Sequence, residues 1–216
     1  MIVAATVADS LAPLQQFVFD GLSWEQYETL LDSLGERRLR HTFAQGSLEV
    51  VTPSYGHESS KTLLGDFVAV LCRITHTPRK SAGSTTMKKR AWKRGLEPDE
   101  CFYIGQRSVA AMRGRDEFDA DRDPPPDLVI EIDVTASSDN RIEMYRRMGV
   151  AEVWRDKSEI ITFLGLTKDG RYRQIKRSRQ FPFLTSDKLT QFVATRHQLD
   201  DTELELRFEA WVKEQL

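Results

Sequence analysis

Between residues 127 and 134 the chain alternates. Asp127, Val129, Glu131 and Asp133 fall at one parity, and Leu128, Ile130, Ile132 and Val134 at the other. Successive side chains of a strand point to opposite faces. The pattern therefore predicts a strand with one apolar core face and one face carrying three carboxylates. Three like charges on one short face are tolerable in water, or around a cation that cancels them. Pro124, Pro125 and Pro126 cannot donate to a ladder and mark the strand's start. Beyond it, residues 135–139 read as a turn into a helix, with Ser138 or Asp139 as its cap. Ile142, Tyr145 and Met148 then recur at helical spacing, and Gly149 suits the position after a helix end. Residues 150–154 return to a strand pattern. Strand, helix and strand within about 30 residues predict a βαβ crossover.

The flanking segments are also periodic. Ser23, Glu25 and Gln26 form a capping-box pattern, opening a helix that turns Tyr27, Leu30, Leu31 and Leu34 inward and stops at Gly35. Residues 37–43 and 47–52 read as strands joined at Gln45-Gly46. The longest helical pattern covers residues 54–75, with an apolar stripe of Leu63, Leu64, Phe67, Val70, Leu71 and Ile74. Residues 83–87 and 101–104 read as strands around a basic connection, and residues 108–112 as a short helix. Residues 159–166 and 171–177 alternate and are joined by Lys168-Asp169-Gly170, which predicts a hairpin. Ser186 is read as the cap of a helix through Thr195. A final helix over residues 202–215 carries Leu206, Trp211 and Val212. Residues 1–22 show no clear period and are read as an N-terminal arm. The alternation of helices and strands over residues 23–216 predicts one α/β domain.

Composition narrows the class. The 216 residues suffice for one substantial core. Two cysteines, Cys72 and Cys101, exclude a disulfide framework and a four-cysteine zinc site, and make a reducing, cytoplasmic setting the expectation. No apolar run is long enough to span a bilayer. The first residues lack the basic start and apolar core of a signal peptide. The net charge of −2 argues against a generally cationic nucleic-acid binder, but the charge is segregated. Residues 73–94 and 171–179 hold thirteen Lys and Arg and no acid, which leaves −15 to the rest of the chain. Such segregation can give a basic face on an acidic body, or two solvated segments. Lys88, Lys89, Arg90, Lys93, Arg173 and Lys176 are the candidate nucleic-acid contacts.

Four stretches stand out in order and spacing. They are Leu48-Glu49-Val50 with Pro53 and His57-Glu58; Gly95 to Ile104, which contains Pro98-Asp99; Pro124 to Ile132; and Asn140-Arg141 with Tyr145 and Met148 to Trp154. Over roughly residues 23–190 they resemble the Uma-type restriction endonuclease family of the PD-(D/E)XK nuclease superfamily. The resemblance implies a restriction-endonuclease-like core, with a central mixed β-sheet flanked by α-helices. It also implies a Mg2+-dependent (or Mn2+-dependent) endonuclease acting on DNA, most naturally the duplex.

The chemistry supports those residue types. Phosphodiester hydrolysis needs a divalent cation to polarise the phosphate, carboxylates to hold it, and a group to generate the nucleophile. In the superfamily pattern an aspartate beside a proline is followed, on the neighbouring strand, by an acid two residues before a lysine. Asp99 fits the first position and Glu131 the second. The residue two past Glu131 is Asp133, not lysine. The resemblance points instead to the helix after the strand, where Arg141 stands four residues before Tyr145. Arginine cannot serve as a base but can stabilise charge on a phosphorane. Asp99, Glu131, Asp133 and Arg141 are the catalytic candidates, and Asp99, Glu131 and Glu58 the candidate metal ligands. Each has a plainer alternative: a turn residue for Asp99, a solvated strand end for Asp133, an ion-pair partner for Arg141, and a helix-dipole acid for Glu58. Asp127 reads as a strand-opening acid. The four histidines show no metal-ligand spacing. Cutting both strands of a duplex needs two sites, so a homodimer is expected, with the last helix and the 159–177 hairpin as candidate interfaces. The missing lysine keeps open a second reading, a nuclease-fold module that binds or scaffolds without catalysis.

Overall fold

The computed structural model describes residues 15–34, 40–133 and 138–216, with residues 15, 133, 138 and 139 described by their backbone alone. The strands form two sheets. In the first, antiparallel sheet the order is β1 (Gln15–Phe19), β3 (Ser47–Thr52), β2 (Arg40–Ala44), β6 (Arg94–Leu96) and β5 (Met87–Lys89). In the second the order is β11 (Tyr172–Ile175), β10 (Ile160–Leu166), β9 (Glu152–Lys157), β8 (Leu128–Asp133), β7 (Glu100–Ile104) and β4 (Arg79–Ser81). Only the β8–β9 pair of this sheet is parallel, so the sheet is mixed. The helices are α1 (Trp24–Leu34), α2 (Tyr55–Ile74), α3 (Gln106–Ala111), α4 (Ser138–Met148), α5 (Ser186–Val193) and α6 (Asp201–Lys213). The expected architecture of a mixed sheet flanked by helices is present, with a second sheet beside it.

The crossover is as the periodicity predicts. α4 joins β8 to β9, which run parallel in a register from Leu128 opposite Glu152 to Asp133 opposite Lys157. Val134 and the turn at residues 135–137 lie outside the described residues, as do the side chains of Ser138 and Asp139, the expected caps. The strand's surroundings differ from expectation. Leu128, Ile130 and Ile132 pack with Leu64, Phe67, Trp154 and Phe208 in the largest core cluster. The opposite face is also covered, because Val129 packs with Met144, Tyr145 and Val153. Glu131 therefore sits in the interior, 3% exposed, and of the two settings open to the carboxylate face water is the one it lacks. Asp127 serves the fold: its Oδ2 accepts the Ile104 N–H at 2.8 Å.

α4 turns Arg141, Met144 and Tyr145 inward, while Ile142 and Met148 are half-buried. The inward face is one i, i+3, i+4 stripe displaced from the one predicted. The capping box at α1 forms reciprocally, Ser23 N–H to Gln26 at 2.8 Å and Gln26 N–H to Ser23 at 3.2 Å. Leu30 of that helix is turned to solvent, because Trp24 and Tyr27 already fill the face over Phe43 and Leu48. Residues 83–86 form a turn instead of a strand, with Gly83 at φ +57°, and the basic Lys88 and Lys89 lie in strand β5 rather than in a connection. Thr185, not Ser186, caps α5. Within the predicted arm, Gln15–Phe19 pairs with β3. The apolar face of α6 is occupied within the chain: Leu204, Phe208 and Val212 are buried beside α2, and Leu206 points out.

A short connection links the two sheets. Residues 97–99 carry the chain from β6 in the first sheet to β7 in the second. Its path is held from below by Tyr27. A Cβ at Gly95 would run into the Tyr27 ring. The Tyr27 hydroxyl meets His41 Nε2 at 2.9 Å, and His41 Nδ1 lies 3.4 Å from Glu97.

Candidate functional site

Asp99 and Glu131 meet where the two sheets join. Ile130 of β8 lies opposite Glu100 of β7, which brings the next residues, Asp99 and Glu131, together. Asp99 Oδ2 accepts the Ile132 N–H at 2.7 Å, which fixes its carboxylate against β8. Both acids are nearly inaccessible. A buried carboxylate without partners is expensive, so the surroundings must supply positive charge and donors.

Two arginines do so. Arg141 forks onto Glu131, with Nε to Oε2 at 2.8 Å and Nη2 to Oε1 at 2.9 Å. Its remaining reach goes to Thr42 Oγ1 at 2.9 Å and the Glu97 carbonyl at 2.5 Å. Tyr145, one helical turn further along α4, donates its hydroxyl to the same Glu131 Oε1. Arg40, at the start of β2, lies between the acids. Its Nη2 is 2.5 Å from Asp99 Oδ1 and 3.7 Å from Glu131 Oε2, and its Nη1 is 2.7 Å from His57 Nε2. That same imidazole nitrogen stands 3.0 Å from Asp99 Oδ1, and the other lies 3.2 Å from Glu58.

The charge states follow. Burial pushes the Asp99 carboxyl up, but Arg40, His57 and Arg141 together outweigh it and hold it below the usual carboxylate range. Burial likewise opposes the Arg141 charge, and Glu131 reverses that, so the guanidinium stays ionised. Burial and Glu131 push the Tyr145 hydroxyl up, so it remains a donor. Because the folded-state pKa of Asp99 is depressed, its contribution to stability is fully present above the unfolded carboxylate range and is lost as pH falls through the folded value. Chemical denaturation of the wild type should therefore lose stability more steeply below about pH 4 than Asp99→Asn does. Parallel pH profiles of the two proteins would contradict this.

The sequence candidates divide. Asp99, Glu131 and Arg141 converge. Glu58 is half-exposed, bonds Lys61 at 3.2 Å, and reaches the cluster only through His57. The Asp133 side chain lies outside the described residues. Among the basic candidates, Lys88 lies 3.7 Å from Glu28, Lys89 3.0 Å from Asp121, Arg90 3.2 Å from Glu28 and Arg173 3.6 Å from Asp169. β5 and β11, which carry Lys88, Lys89 and Arg173, are edge strands of different sheets. Sequence reasoning missed Arg40, for which a strand-start arginine gives no signal. It read Tyr145 only as a helix-face residue, although its i+4 spacing from Arg141 places the two side by side.

A family profile described as Uma2, "putative restriction endonuclease", matches residues 24–205. The chain belongs to this family. Among solved structures, the fold is similar to one described as a putative nuclease belonging to DUF820 from Anabaena variabilis ATCC 29413. The TM-score is 0.55 at 13% identity, over 80% of this chain and 99% of that one. Among curated proteins, none is significantly similar to the chain. This Uma2-family chain thus has a nuclease fold, and its two expected acids meet at the junction of the sheets.

Restriction-endonuclease-like families generally use divalent metals, so the donor set can be tested for fit. Among the described residues no group of three His, Cys, Asp or Glu side chains is assembled around one point. Two carboxylates are, and Asp99 Oδ1 is buried without an aligned hydrogen bond despite its contact with Arg40. A hard cation that binds through one or two carboxylates and keeps its waters suits this set. Arg40 stands where such a cation would stand. No helix among the described residues is long and apolar enough to cross a membrane.

Proposed function

We propose that the protein is a metal-dependent endonuclease that hydrolyses phosphodiester bonds in DNA. The observation that carries this reading is the convergence of Asp99 and Glu131 on one Arg40 nitrogen. In this reading Asp99 and Glu131 hold Mg2+ or Mn2+. The bound cation polarises the phosphate and stabilises charge on the leaving oxygen. Arg141 and Tyr145 act as positioning residues: their three hydrogen bonds fix both oxygens of Glu131 and leave one lone pair, on Oε2, for a cation. Arg40 neutralises the two acids, and with a cation held there it would be the group free to meet the phosphate. Its Nε and Nη2 are buried yet make no aligned hydrogen bond, so charge and the Nη1 contact to His57 hold this long side chain between the acids. Lys93 and Lys176 form no ion pair among the described residues and are the basic candidates readiest to meet phosphates.

The test is cleavage of plasmid and single-stranded DNA with Mg2+ or Mn2+. Cleavage is expected in the wild type, with a loss of about a hundredfold or more in Glu131→Gln and Asp99→Asn. Cleavage that survives in both variants would refute the assignment. A second reading, a module that binds nucleic acid without cutting it, is favoured by one observation. The cation's place is filled by Arg40, and Arg141 is wholly engaged with the protein. Cutting both strands also calls for a symmetric dimer. With the α6 face occupied, the β10–β11 hairpin is the better of the two proposed interfaces, and a monomeric mass by light scattering would exclude the dimer. The two free, buried cysteines fit the proposed cytoplasmic setting.

A further inference from the structure

At the far ends of β2 and β6 a cleft of about 440 Å³ opens between the start of α1, the β2–β3 turn and the segment before β6. It is lined by Trp24, Glu25, Trp92, Lys93, Arg94 and Arg147, among others. Arg94 is only 6% exposed, yet no carboxylate pairs with it among the described residues, and its Nη1 is buried with no hydrogen-bond partner. Trp24 Nε1, in the same lining, is a second buried donor without an acceptor. A buried guanidinium without a counter-charge is among the costlier arrangements in a protein. Two residues of the lining that each keep a buried donor without an acceptor favour an anionic ligand here.

We propose that this cleft is a phosphate subsite that holds one nucleotide of a nucleic-acid strand, with Arg94 as its anchor. The proposal rests on the nuclease reading for the identity of the strand. Lys93 adds positive charge, and Arg147 stands beside it already paired with Glu143 at 2.9 Å. Glu25 is the carboxylate of the lining, and it is exposed and drawn to Arg90 at 3.4 Å. Trp92 offers an aromatic face on which a base can stack, a contact that tolerates any sequence. The cleft's volume exceeds a bare phosphate and admits a nucleotide.

Position links the cleft to the acids. Arg94 lies opposite Ala44 on β2, two residues beyond Thr42, which bonds Arg141. Two strand residues span about 7 Å. Arg147 is six residues past Arg141 on α4, about 9 Å along the helix. A strand lying at Glu131 reaches the cleft within a few nucleotides, at roughly 3.4 Å of rise each in a duplex.

The test uses the full chain in EDTA, so that cleavage and cation binding play no part. Tryptophan fluorescence is titrated with inorganic phosphate, a deoxynucleoside monophosphate and a short single-stranded oligonucleotide. Arg94→Met should weaken all three by about tenfold or more, with Arg94→Lys between it and the wild type. The oligonucleotide should bind tighter than the mononucleotide. Arg94→Met should also melt no lower than the wild type in phosphate-free buffer, because it removes a buried charge without a partner. Unchanged affinities in Arg94→Met, or a lower melting temperature, would overturn the subsite and make Arg94 a structural residue. Equal affinity for mononucleotide and oligonucleotide would overturn the strand and leave a small-phosphate site. A protein that binds at Arg94 yet never cuts DNA would sink the nuclease reading and spare this one.

Discussion

Arg141→Ala is expected to destabilise the protein by about 3–5 kcal/mol, a large share of the stability of a domain of this kind. The reason is what the substitution leaves behind. Glu131 is 3% exposed and would lose both prongs of its guanidinium partner. Thr42 and the Glu97 carbonyl, which hold the strand β2 and the sheet-to-sheet connection to the same side chain, would lose theirs as well. Only the neutral Tyr145 donor and the more distant Arg40, at 3.7 Å, would still face the carboxylate. Arg141→Lys keeps the charge but not the fork, so it should fall between wild type and Ala. Adding Glu131→Gln to Arg141→Ala should restore part of the loss, because the stranded charge is gone. Urea denaturation of these proteins, together with Glu131→Gln alone, gives the coupling directly. An Arg141→Ala protein as stable as the wild type would mean that the fork is not what makes the buried Glu131 tolerable.

Arg40→Ala is expected to do the opposite for cations. The Arg40 guanidinium stands 2.5 Å from Asp99 Oδ1 and 3.7 Å from Glu131 Oε2, so it competes with a divalent ion for the same oxygens. Removing a unit charge at such a distance is worth on the order of several kcal/mol at a near-surface effective dielectric. Affinity for Mn2+ should rise by about tenfold or more, read by calorimetry or manganese spin resonance. The readout needs no turnover. It also separates the two functional readings. A wild type that binds Mn2+ weakly and a variant that binds it well describe a nuclease whose site is held shut by its own arginine. A wild type that never binds, beside a variant that does, describes a module in which Arg40 has replaced the metal. Unchanged or weaker binding in Arg40→Ala would remove Asp99 and Glu131 from any shared metal site.

Much of the frame was legible from local rules. Alternation over residues 127–134, the helical spacing after 140 and the Lys168-Asp169-Gly170 turn located the crossover and the hairpin, because strand and helix periods differ and turns demand particular residues. Glu131 was visible as a candidate because an acid in the middle of an apolar strand has few inexpensive explanations. Asp99 was visible through the family resemblance, since a proline beside an aspartate is by itself an ordinary turn.

What the sequence by itself determined was therefore the order and type of most elements, the crossover, and two of the acids. The tertiary structure alone decided which faces are buried and which charges meet. Periodicity reports a single strand's two sides, but not whether a helix will cover the second. It left Glu131 either in water or around a charge that cancels it, and α4, closing over it with Arg141, decides between them. Nor can spacing pair Arg40 with Asp99, or Arg141 with Thr42, across 59 and 99 residues of chain. Those contacts exist because residues 97–99 pass from one sheet to the other and bring β2, β8 and the first turns of α2 and α4 to one point. The Coulomb energies that fix the site act through space, and the chain's order carries no record of those distances.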